Sequence, residues 1–528
     1  MGLIDGFLRS VDRFPDRPAL VVGGECFAYD SLWKVAAKIA ATILDLDHSG
    51  NPLVAVLAHR SLTAYAGVLG IQASGKGYVP LNPKMPVDRL VKMFLQSQCD
   101  SLIVGQEGMK ALEALLPDIR RRLTILFPEP PDVSTLPAAL SRHCFVSANT
   151  MPQPGRISTV PRGDPDGVAY LLFTSGSTGE PKGVPVSQRN VNAYVQYACE
   201  KYQVNEGDRC SQMFDMTFDL SVHDMFVCWE RGACLYSVPE NAVMCPGKFV
   251  NDHQITMWFS VPSVVGFMLK MGILKPGVFP SLRVSLFCGE PLPGAYARAW
   301  QEAAPQSIVE NLYGPTETTI AITRYRWDAQ RSPSVCVNGI VPIGWVFEKQ
   351  TACVISQDGN PLPAGEVGEL YLSGSQVTRG YWNNPTQTDE RFVRLPAFGD
   401  KLWYRTGDLV KQDQSGCLYY LGRMDHQVKI RGYRVELQEI DYVLRKASGS
   451  EQVASIAWPV RDGIADGVVA FIFGHPARET KTILDYCREV LPEYMVPREI
   501  CVLDEAPLNV NGKLDRMQLA DLLQGQRV

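Results

Sequence analysis

The sequence predicts an α/β fold: a large N-terminal domain of mixed or parallel sheets covered by helices, followed by a small α+β C-terminal domain. Helix and strand patterns alternate in the first part, give way to short strands and turns after about residue 350, and alternate again in roughly the last hundred residues. At 528 residues the chain is too long for one compact core. We therefore expect domains at 1–424 and 425–528, with a β-rich subdomain at about 330–424.

The first elements follow from hydrophobic periodicity. DSLWKVAAKIAATIL has apolar residues at helical spacing behind an Asp/Ser start, and SLTAYAGVLGIQASG predicts a second helix that ends at glycine. PLVAVLAHR between them predicts a buried strand, and DGVAYLLFTSG predicts another strand that runs into a glycine-rich loop. This alternation is typical of a parallel or mixed sheet covered by helices.

The later elements are of a different kind. TACVISQDGNPLPAGEVGELYLSG combines an Asp-Gly turn with alternating apolar residues, which predicts a β-hairpin region. Beyond it, QVASIAWPV and GVVAFIFG predict strands and TILDYCREVLPEYM predicts a helix. These segments suffice for a separate α+β domain with its hinge near Asp425.

Composition excludes several classes of protein. The net charge of -5 gives no general electrostatic reason to bind nucleic acid or an anionic membrane, and the one dense basic cluster is KIRGYR at 429–434. The fourteen cysteines include no C-x-x-C pair, and none stands at metal-ligand spacing from a histidine, which favours reduced thiols. The N-terminus lacks a signal-peptide core, and Gly6 stands where myristoylation requires Ser or Thr, so we expect a cytoplasmic protein.

The segment LLFTSGSTGEPKG at 171–183 predicts a phosphate-binding loop, because backbone amides and one lysine neutralise spread negative charge. A flexible surface loop is the alternative on composition alone. A P-loop is excluded, because Pro181 and Gly183 stand where that motif needs glycine and a metal-binding hydroxyl. The GVPVS run would also break the helix that a P-loop requires.

A second segment, VENLYGPTETTIAIT, presents an aromatic ring, hydroxyls and one carboxylate in succession. Glu317 is a hard-oxygen ligand suited to magnesium, and Tyr313 offers a face on which a base can stack. A capped turn is the structural alternative for this segment.

Together with five further segments in the same order, these two resemble the adenylate-forming superfamily of acyl-CoA synthetases, luciferases and nonribosomal peptide synthetase adenylation domains. The further segments are FDMTFDLSVHDMF, GELYLSGSQVTRGYW, YRTGDL, GRMDHQVKIRGYRVEL and PLNVNGKLDR, so the resemblance covers nearly the whole chain. It implies an enzyme that uses ATP and Mg²⁺ and has a mobile C-terminal domain.

The resemblance also implies roles for individual residues. Lys513 matches the catalytic lysine, and Thr316 and Glu317 match contacts to the α-phosphate and to magnesium. Asp408 matches the acid that holds both ribose hydroxyls, and Asp425 and Gly432 match the hinge and the thiol tunnel. The implied ATP-binding set is Thr174, Ser175, Gly176, Ser177, Thr178, Lys182, Tyr313, Gly314, Asp408 and Arg423.

The amino-acid-activating branch fits best, because Asp219 falls where that branch binds a substrate α-amino group. A carboxylate in an apolar pocket is costly without a cation, so its presence indicates a cationic ligand, although a helix or turn cap is the structural alternative. The implied pocket is apolar and of moderate size, with His223 as its polar exception. Its residues are Asp219, Leu220, His223, Ser263, Leu286, Cys288, Leu312, Ile320 and Ala321.

The implied reaction is the adenylation of an amino acid by MgATP with pyrophosphate release, followed by transfer to a thiol. No phosphopantetheine-bearing module is recognisable in the sequence, so we expect a separate phosphopantetheinylated carrier protein as partner, and neither nucleic acid nor membrane. Around FDLSVHDMF the chain is similar to stand-alone prolyl-AMP ligases, which implies L-proline. Alanine, serine or another small aliphatic amino acid are the alternatives, and so is an acyl-CoA synthetase acting on a carboxylic acid.

Overall fold

The computed structural model describes residues 2–129, 142–152, 164–176, 180–424, 427–450, 452–461, 464–507 and 516–525. Its strands are β1 (Pro18–Val22), β2 (Glu25–Ala28), β3 (Leu53–Leu57), β4 (Gly77–Leu81), β5 (Ser101–Val104), β6 (Thr124–Phe127), β7 (Cys144–Ser147), β8 (Val168–Thr174), β9 (Lys182–Ser187), β10 (Arg209–Gln212), β11 (Cys234–Ser237), β12 (Met257–Ser260), β13 (Val284–Phe287), β14 (Ile308–Tyr313), β15 (Thr323–Arg326), β16 (Trp345–Val346), β17 (Gln350–Ile355), β18 (Val367–Gly374), β19 (Phe392–Arg394), β20 (Leu402–Gln412), β21 (Leu418–Arg423), β22 (Gln427–Ile430), β23 (Tyr433–Glu436), β24 (Val453–Ala457), β25 (Val460–Arg461), β26 (Ile464–Ala465), β27 (Val468–Phe473) and β28 (Glu499–Leu503).

The helices cover the sheets, as the alternation of patterns predicts. They are α1 (Asp5–Arg13), α2 (Tyr29–Leu46), α3 (Leu62–Ala73), α4 (Val87–Ser97), α5 (Met109–Leu115), α6 (Gln188–Lys201), α7 (Leu220–Val222), α8 (Gly247–Asp252), α9 (Pro262–Lys270), α10 (Gly294–Ala303), α11 (Ser332–Val335), α12 (Pro385–Arg391), α13 (Leu437–Ser448), α14 (Thr480–Val490) and α15 (Arg516–Gly525).

Two large sheets form the N-terminal part. One has the order β7-β6-β5-β3-β4-β8-β9, parallel except for β9, and the other has the order β16-β15-β14-β13-β12-β10-β11-β1-β2, parallel from β14 to β1. The carboxyl ends of β10, β12, β13 and β14 lie at one edge of the second sheet. The segments that follow these strands therefore meet there, which is where open α/β sheets bind ligands.

Helix α3 shows why the two sheets pack together. It is apolar on every side, and all its residues from Thr63 to Ala73 are buried. Its side chains share one core with Val56 of the first sheet and Leu235 of the second. A helix without a polar face is stable only when it is enclosed in this way. The Ser61 hydroxyl accepts from the Ala64 N–H and caps its first turn.

The β-rich region is an antiparallel sheet of order β17-β18-β20-β19 with β21 paired to β20. It starts at Gln350 instead of about residue 330, because β16 joins the edge of the second large sheet and α11 precedes it. This sheet ends at Arg423, one residue before the predicted domain boundary.

The C-terminal part contains a β23-β22-β26-β25 sheet and a β24-β27-β28 sheet, with α13 and α14 packed on a separate core. Its elements form the predicted α+β arrangement. Among the described residues, no helix combines the length and hydropathy that crossing a membrane requires.

Candidate active site

The Asp219 carboxylate lies where the segment after β10 approaches the turn after β14. Asp219 is 7% exposed, and its Oδ2 accepts a hydrogen bond from the Ile320 N–H at 3.0 Å. Its side chain does not cap α7, so the helix-cap alternative raised by the sequence is excluded, whereas its hydrogen bond from Ile320 does hold a turn. Burial raises the pKa of Asp219 to about 6, and the negative charge of the nearby Glu317 carboxylate also raises it. The hydrogen bonds from Ile320 and Thr316 lower this pKa and so offset part of the shift.

The turn that supplies the Ile320 N–H is strained. Thr319 and Ile320 have φ of 61° and 70°, a conformation that β-branched residues rarely adopt. Gln376 holds the turn, because its Nε2 donates to the carbonyl oxygens of Thr319 at 3.2 Å and Ala321 at 2.7 Å. Strain of this kind persists only where the surroundings fix it, and it is concentrated at functional sites.

Gly314 permits the close approach on which this turn depends. A Cβ at this position would lie 2.6 Å from the Ala321 Cα. Any side chain would therefore push the turn away from Asp219.

His223, a member of the expected amino acid pocket, follows Asp219 by four residues. It begins a π-helical turn at His223–Val227, a local widening that occurs frequently at functional sites. Its Nδ1 lies 2.8 Å from the Tyr194 hydroxyl, and its ring packs edge-on against Phe259 at 4.6 Å. Burial lowers the pKa of His223 to about 3, so the imidazole is neutral at physiological pH.

The other residues of the expected amino acid pocket are apolar or lack charge. Burial raises the pKa of the Cys288 thiol to about 12, which keeps it protonated. Ser263 donates its N–H to Glu290 Oε2 at 2.8 Å from the start of α9. The buried members among them are Leu220, Leu286, Cys288, Leu312, Ile320 and Ala321.

The expected phosphate loop joins antiparallel strands β8 and β9, which differs from the strand–helix geometry of a P-loop and agrees with the exclusion made from the sequence. Thr174 ends β8 opposite Lys182 in the register, with Ser175 and Gly176 following. Burial lowers the pKa of Lys182 to about 8, and the Arg434 guanidinium adds to this. The Lys182 Nζ lies 4.8 Å above the Tyr381 ring.

The Glu317 carboxylate is fully buried beside this loop, in a 3₁₀ turn at Thr316–Thr318. Its Oε1 accepts from the Tyr381 hydroxyl at 2.8 Å, and its Oε2 accepts from Arg434 Nη1 at 2.7 Å. Although burial opposes ionisation, Arg434 and Lys182 lower the pKa of Glu317 to about 2. The carboxylate is therefore charged at any physiological pH.

Tyr313 and Asp408 line a cavity of about 210 Å³ between the large sheets and the C-terminal part. The Tyr313 hydroxyl donates to Asp408 Oδ2, and Arg423 Nη1 donates to Asp408 Oδ1 at 2.6 Å. Lys429 of β22 also lines this cavity, and burial lowers its pKa. The cavity thus combines an aromatic face, a carboxylate and cationic side chains.

A second cavity, of about 300 Å³, is lined by Leu220 and Ser263 together with Gly432. Gly432 has φ of 85°, and a Cβ there would lie 2.5 Å from Val261 Cγ1. The glycine therefore lets the KIRGYR segment approach the large sheets. The structure brings the expected tunnel residue next to the expected amino acid pocket.

Four expected site residues lie outside the described residues: Ser177, Thr178, Asp425 and Lys513. Arg516, the first described residue after Lys513, pairs with Asp441 of α13 at 2.7 Å. Among the described residues, no group of three or more His, Cys, Asp or Glu side chains is placed to hold a metal ion.

Several site residues were missed by sequence reasoning. Gln376 and Tyr381 lie within GELYLSGSQVTRGYW, and Lys429 and Arg434 lie within the basic cluster at 429–434. The first segment is one of the motifs of the resemblance, and the second is the dense basic cluster, so the sequence draws attention to both segments. Only the packing shows which of their side chains reach Glu317, the turn at 319–321 and the cavity beside Tyr313.

Comparisons with known proteins identify the family and the fold. The AMP-binding enzyme family model matches residues 7–382. The L-proline--[L-prolyl-carrier protein] ligase of Pseudomonas fluorescens is 31% identical over 99% of both chains, and the D-alanine--D-alanyl carrier protein ligase of Bacillus velezensis is 28% identical over 99% of both.

Solved structures give the same assignment. The Vibrio cholerae adenylation domain AlmE, in complex with glycyl-adenosine-5'-phosphate, superposes with a TM-score of 0.90 at 35% identity, covering 99% of this chain and 98% of that one. The motifs, the fold and the match over most of the chain agree, and the chain belongs to the family of AMP-binding, adenylate-forming enzymes.

Proposed function

We propose that this enzyme activates a small amino acid with ATP as an aminoacyl-AMP, releases pyrophosphate, and transfers the aminoacyl group to the phosphopantetheine thiol of a separate carrier protein. The observation that carries the proposal is the Asp219 carboxylate. It is buried, and among the described residues it forms no salt bridge, although the Lys429 ammonium acts on it at longer range. An α-ammonium group would supply the missing charge.

The relatives support both halves of the reaction. Two full-length relatives are named as ligases that load an amino acid onto a carrier protein, and the AlmE structure holds an aminoacyl-adenylate. A carboxylic acid without an amine would leave Asp219 uncompensated. This argues against the alternative of an acyl-CoA synthetase.

We assign ATP to the cavity beside Tyr313 and to the loop between β8 and β9. The Tyr313 ring offers a stacking face for adenine. Each Asp408 oxygen already accepts one hydrogen bond, from Tyr313 or Arg423, and keeps a second lone pair that can accept from a ribose hydroxyl. Ser175 and Lys182 provide a hydroxyl and a cation for the phosphates. Thr316, which hydrogen-bonds to Asp219, is assigned to the α-phosphate end of the nucleotide.

We assign Lys513 the catalytic role because attack by the substrate carboxylate brings two anions together at the α-phosphate. A cation placed between them stabilises the transition state more than the ground state. We also propose the division into 1–424 and 425–528, so that movement about Asp425 carries the lysine to and from the site.

Magnesium is suited to Glu317 by the chemistry of its oxygen ligand. In the present arrangement both carboxylate oxygens are already engaged, one by Tyr381 and one by Arg434. The residues present therefore do not fit the ion while Arg434 stays in place.

L-Proline is our first candidate substrate, supported by the 31% identical prolyl-carrier protein ligase. Glycine is a second candidate, because His223 and Phe259 fill the floor of the pocket and leave a cavity of only about 10 Å³ behind them. This is room for a single water. The glycyl-adenylate held by the 35% identical AlmE supports the same alternative.

The test is ATP–pyrophosphate exchange with a panel of proline, glycine, alanine, serine, larger amino acids and short or long carboxylic acids. Exchange with a small amino acid, followed by a matching mass increase on a phosphopantetheinylated carrier protein, is the expected result. Exchange with amine-free acids alone would refute the proposal. Asp219→Ala should lose amino acid dependence and still bind ATP.

A further inference from the structure

His59 and Asp215 form an imidazole–carboxylate pair in the wall of the 300 Å³ cavity that Leu220 and Ser263 share with Gly432. His59 follows strand β3, and Asp215 lies between β10 and α7. His59 Nδ1 lies 3.1 Å from Asp215 Oδ2, and the two side chains are 14% and 12% exposed. Neither residue belongs to the nucleotide or amino acid sets that the resemblance implies.

The Asp215 carboxylate is held firmly in place. Its Oδ1 accepts from the N–H and the hydroxyl of Thr217 at 2.9 and 2.6 Å, and its Oδ2 also accepts from Asn82 Nδ2. Although burial opposes ionisation, hydrogen bonds from His59 and Thr217 lower the pKa of Asp215. A charged carboxylate at Nδ1 favours the imidazole tautomer that carries its proton on Nδ1.

The other ring nitrogen of His59 is then an acceptor. Nε2 is buried, and it has no hydrogen-bond partner in the part of the chain that the structure describes. In the neutral ring this atom carries a lone pair. Buried polar atoms of a purely structural side chain are nearly always hydrogen-bonded, so an orphaned nitrogen indicates a group that meets a ligand.

The backbone beside His59 is fixed in an uncommon conformation. Arg60 has φ of 47°, and its guanidinium donates to the carbonyl oxygens of Gln212 at 3.3 Å and Met213 at 2.5 Å. The His59 N–H donates to Glu107 Oε1 at 2.7 Å. Strain held in this way is concentrated at functional sites, and here it fixes the position of the imidazole.

The other titratable groups of the cavity are poor bases. The Lys84 ammonium pairs with Glu240 and lowers the pKa of that carboxyl, and the pKa of Asp215 is lowered as well. Burial raises the pKa of Tyr433, so its phenol stays protonated. Among the described residues that line this cavity, His59 is therefore the side chain best suited to accept a proton.

The transfer step of the proposed function needs such a base. Only the thiolate is a strong nucleophile, and an ordinary thiol with a pKa of about 8.5 is mostly protonated at neutral pH. The leaving group, the phosphate of AMP, is itself a weak base. A thiol that passes Gly432 toward Leu220 and Ser263 enters the cavity whose wall contains His59.

We propose that His59 is the general base of the transfer step, accepting the proton of the phosphopantetheine thiol at Nε2 while Asp215 orients the ring. This inference rests on the proposed function and adds the group that activates the thiol. The sulfur attacks the aminoacyl carbonyl carbon, the C–S bond forms, and the bond from that carbon to the phosphate oxygen of AMP breaks. AMP leaves with that electron pair, and the imidazolium later releases the thiol proton to solvent.

Two thiols of different acidity separate base catalysis from a structural role. Thioester formation from supplied aminoacyl-AMP is measured at pH 7.5 with pantetheine, which is protonated there, and with 2,2,2-trifluoroethanethiol, much of which is ionised. His59→Gln should lower the rate at least tenfold with pantetheine and less than threefold with trifluoroethanethiol. A similar fall with both thiols, or a smaller fall with pantetheine, would overturn the proposal.

Further variants guard against a loss of folding. Asp215→Asn lets the proton move to Nε2 and should show the same difference between the two thiols. His253→Gln is the matched control, because His253 packs on Tyr236 and Phe249 away from this cavity, and it should keep both rates within twofold. ATP–pyrophosphate exchange uses no thiol and should stay within threefold in all three variants. Equal loss of exchange and transfer in His59→Gln would contradict the assigned role.

Nitrogen-15 NMR of histidine-labelled enzyme reports the tautomer without measuring activity. The His59 signal, assigned by its loss in His59→Gln, should show a proton on Nδ1 and none on Nε2, and a proton on Nε2 in the wild type would overturn the proposal. Absence of amino-acid-dependent exchange in the wild type would reject the proposed function and this inference with it. Normal exchange together with equal loss for both thiols would reject the inference alone.

Discussion

Replacing Asp219 with Asn should make the enzyme more stable and less able to bind its amino acid. Burial raises the pKa of Asp219 to about 6 from an ordinary value of 3.8. At ~1.4 kcal/mol per pKa unit, keeping this carboxylate ionised costs the empty enzyme about 3 kcal/mol. Because the folded-state pKa is raised, the cost is absent below about pH 4 and is present in full above about pH 6.

The assay is thermal unfolding of both proteins at pH 4.5 and pH 7.5. Asp219→Asn keeps an oxygen that can accept from Ile320, and it should raise the melting temperature by about 3 °C at the higher pH, with a much smaller rise at the lower pH. In the wild type, affinity for the amino acid should fall about tenfold between pH 7 and pH 5 as Asp219 protonates. Glu317 and His223, with pKa values of about 2 and about 3, do not titrate in this range.

Equal melting temperatures at pH 7.5, together with unchanged amino acid use by the variant, would refute the reasoning. The result would mean that the carboxylate is not held ready for a cationic ligand. Loss of stability in the variant would also refute the reasoning, because Asn keeps an acceptor for the Ile320 N–H and removes only the buried charge.

Four further outcomes follow from the site. The KM for ATP should rise between pH 7 and pH 9 as Lys182, with a pKa of about 8, loses its charge, and Lys182→Arg should abolish that rise in exchange assays. Gln376→Ala leaves carbonyl oxygens of the strained turn without their donor, so it should cost about 1–3 kcal/mol in unfolding experiments and raise the KM for the amino acid. His223→Ala should open the floor to larger side chains in the exchange panel, whereas Tyr194→Phe, which removes only the hydrogen bond, should not. Lys513→Ala should abolish ATP–pyrophosphate exchange, because it removes the cation assigned to the α-phosphate. The same variant should largely keep thiol transfer from supplied aminoacyl-AMP, a step in which that cation has no assigned role.

The sequence predicted the large elements well because their patterns reflect burial. Helix α3 has no polar face and is enclosed on all sides, and β8 runs into the glycine-rich loop as its apolar run indicates. The start of the β-rich sheet was less predictable. Trp345 and Val346 extend the second large sheet by pairing with β15, and short strands of this kind carry no periodic signal.

Candidate site residues can be proposed from the sequence where a motif contains them, and much less readily where the candidate role depends on a contact between distant segments. The segments that contain Asp219 and Glu317 predict them as candidate site residues, whereas Gln376 acts on carbonyl oxygens 55 to 57 residues away in the sequence. Arg434 acts on a carboxylate 117 residues away. Long-range hydrogen bonds of this kind depend on tertiary packing, which local patterns do not encode.

The six residues from Thr316 to Ala321 place Glu317 at one end and the Ile320 N–H that meets Asp219 at the other. The spacing between these ends is fixed by two left-handed residues and by the amide of Gln376. Substitutions of Ile320 or Ala321 that aim to change the proposed substrate preference will therefore also move the Glu317 carboxylate. Laboratory evolution of this enzyme should accordingly recover compensating changes at 376 and 381 alongside those in the pocket.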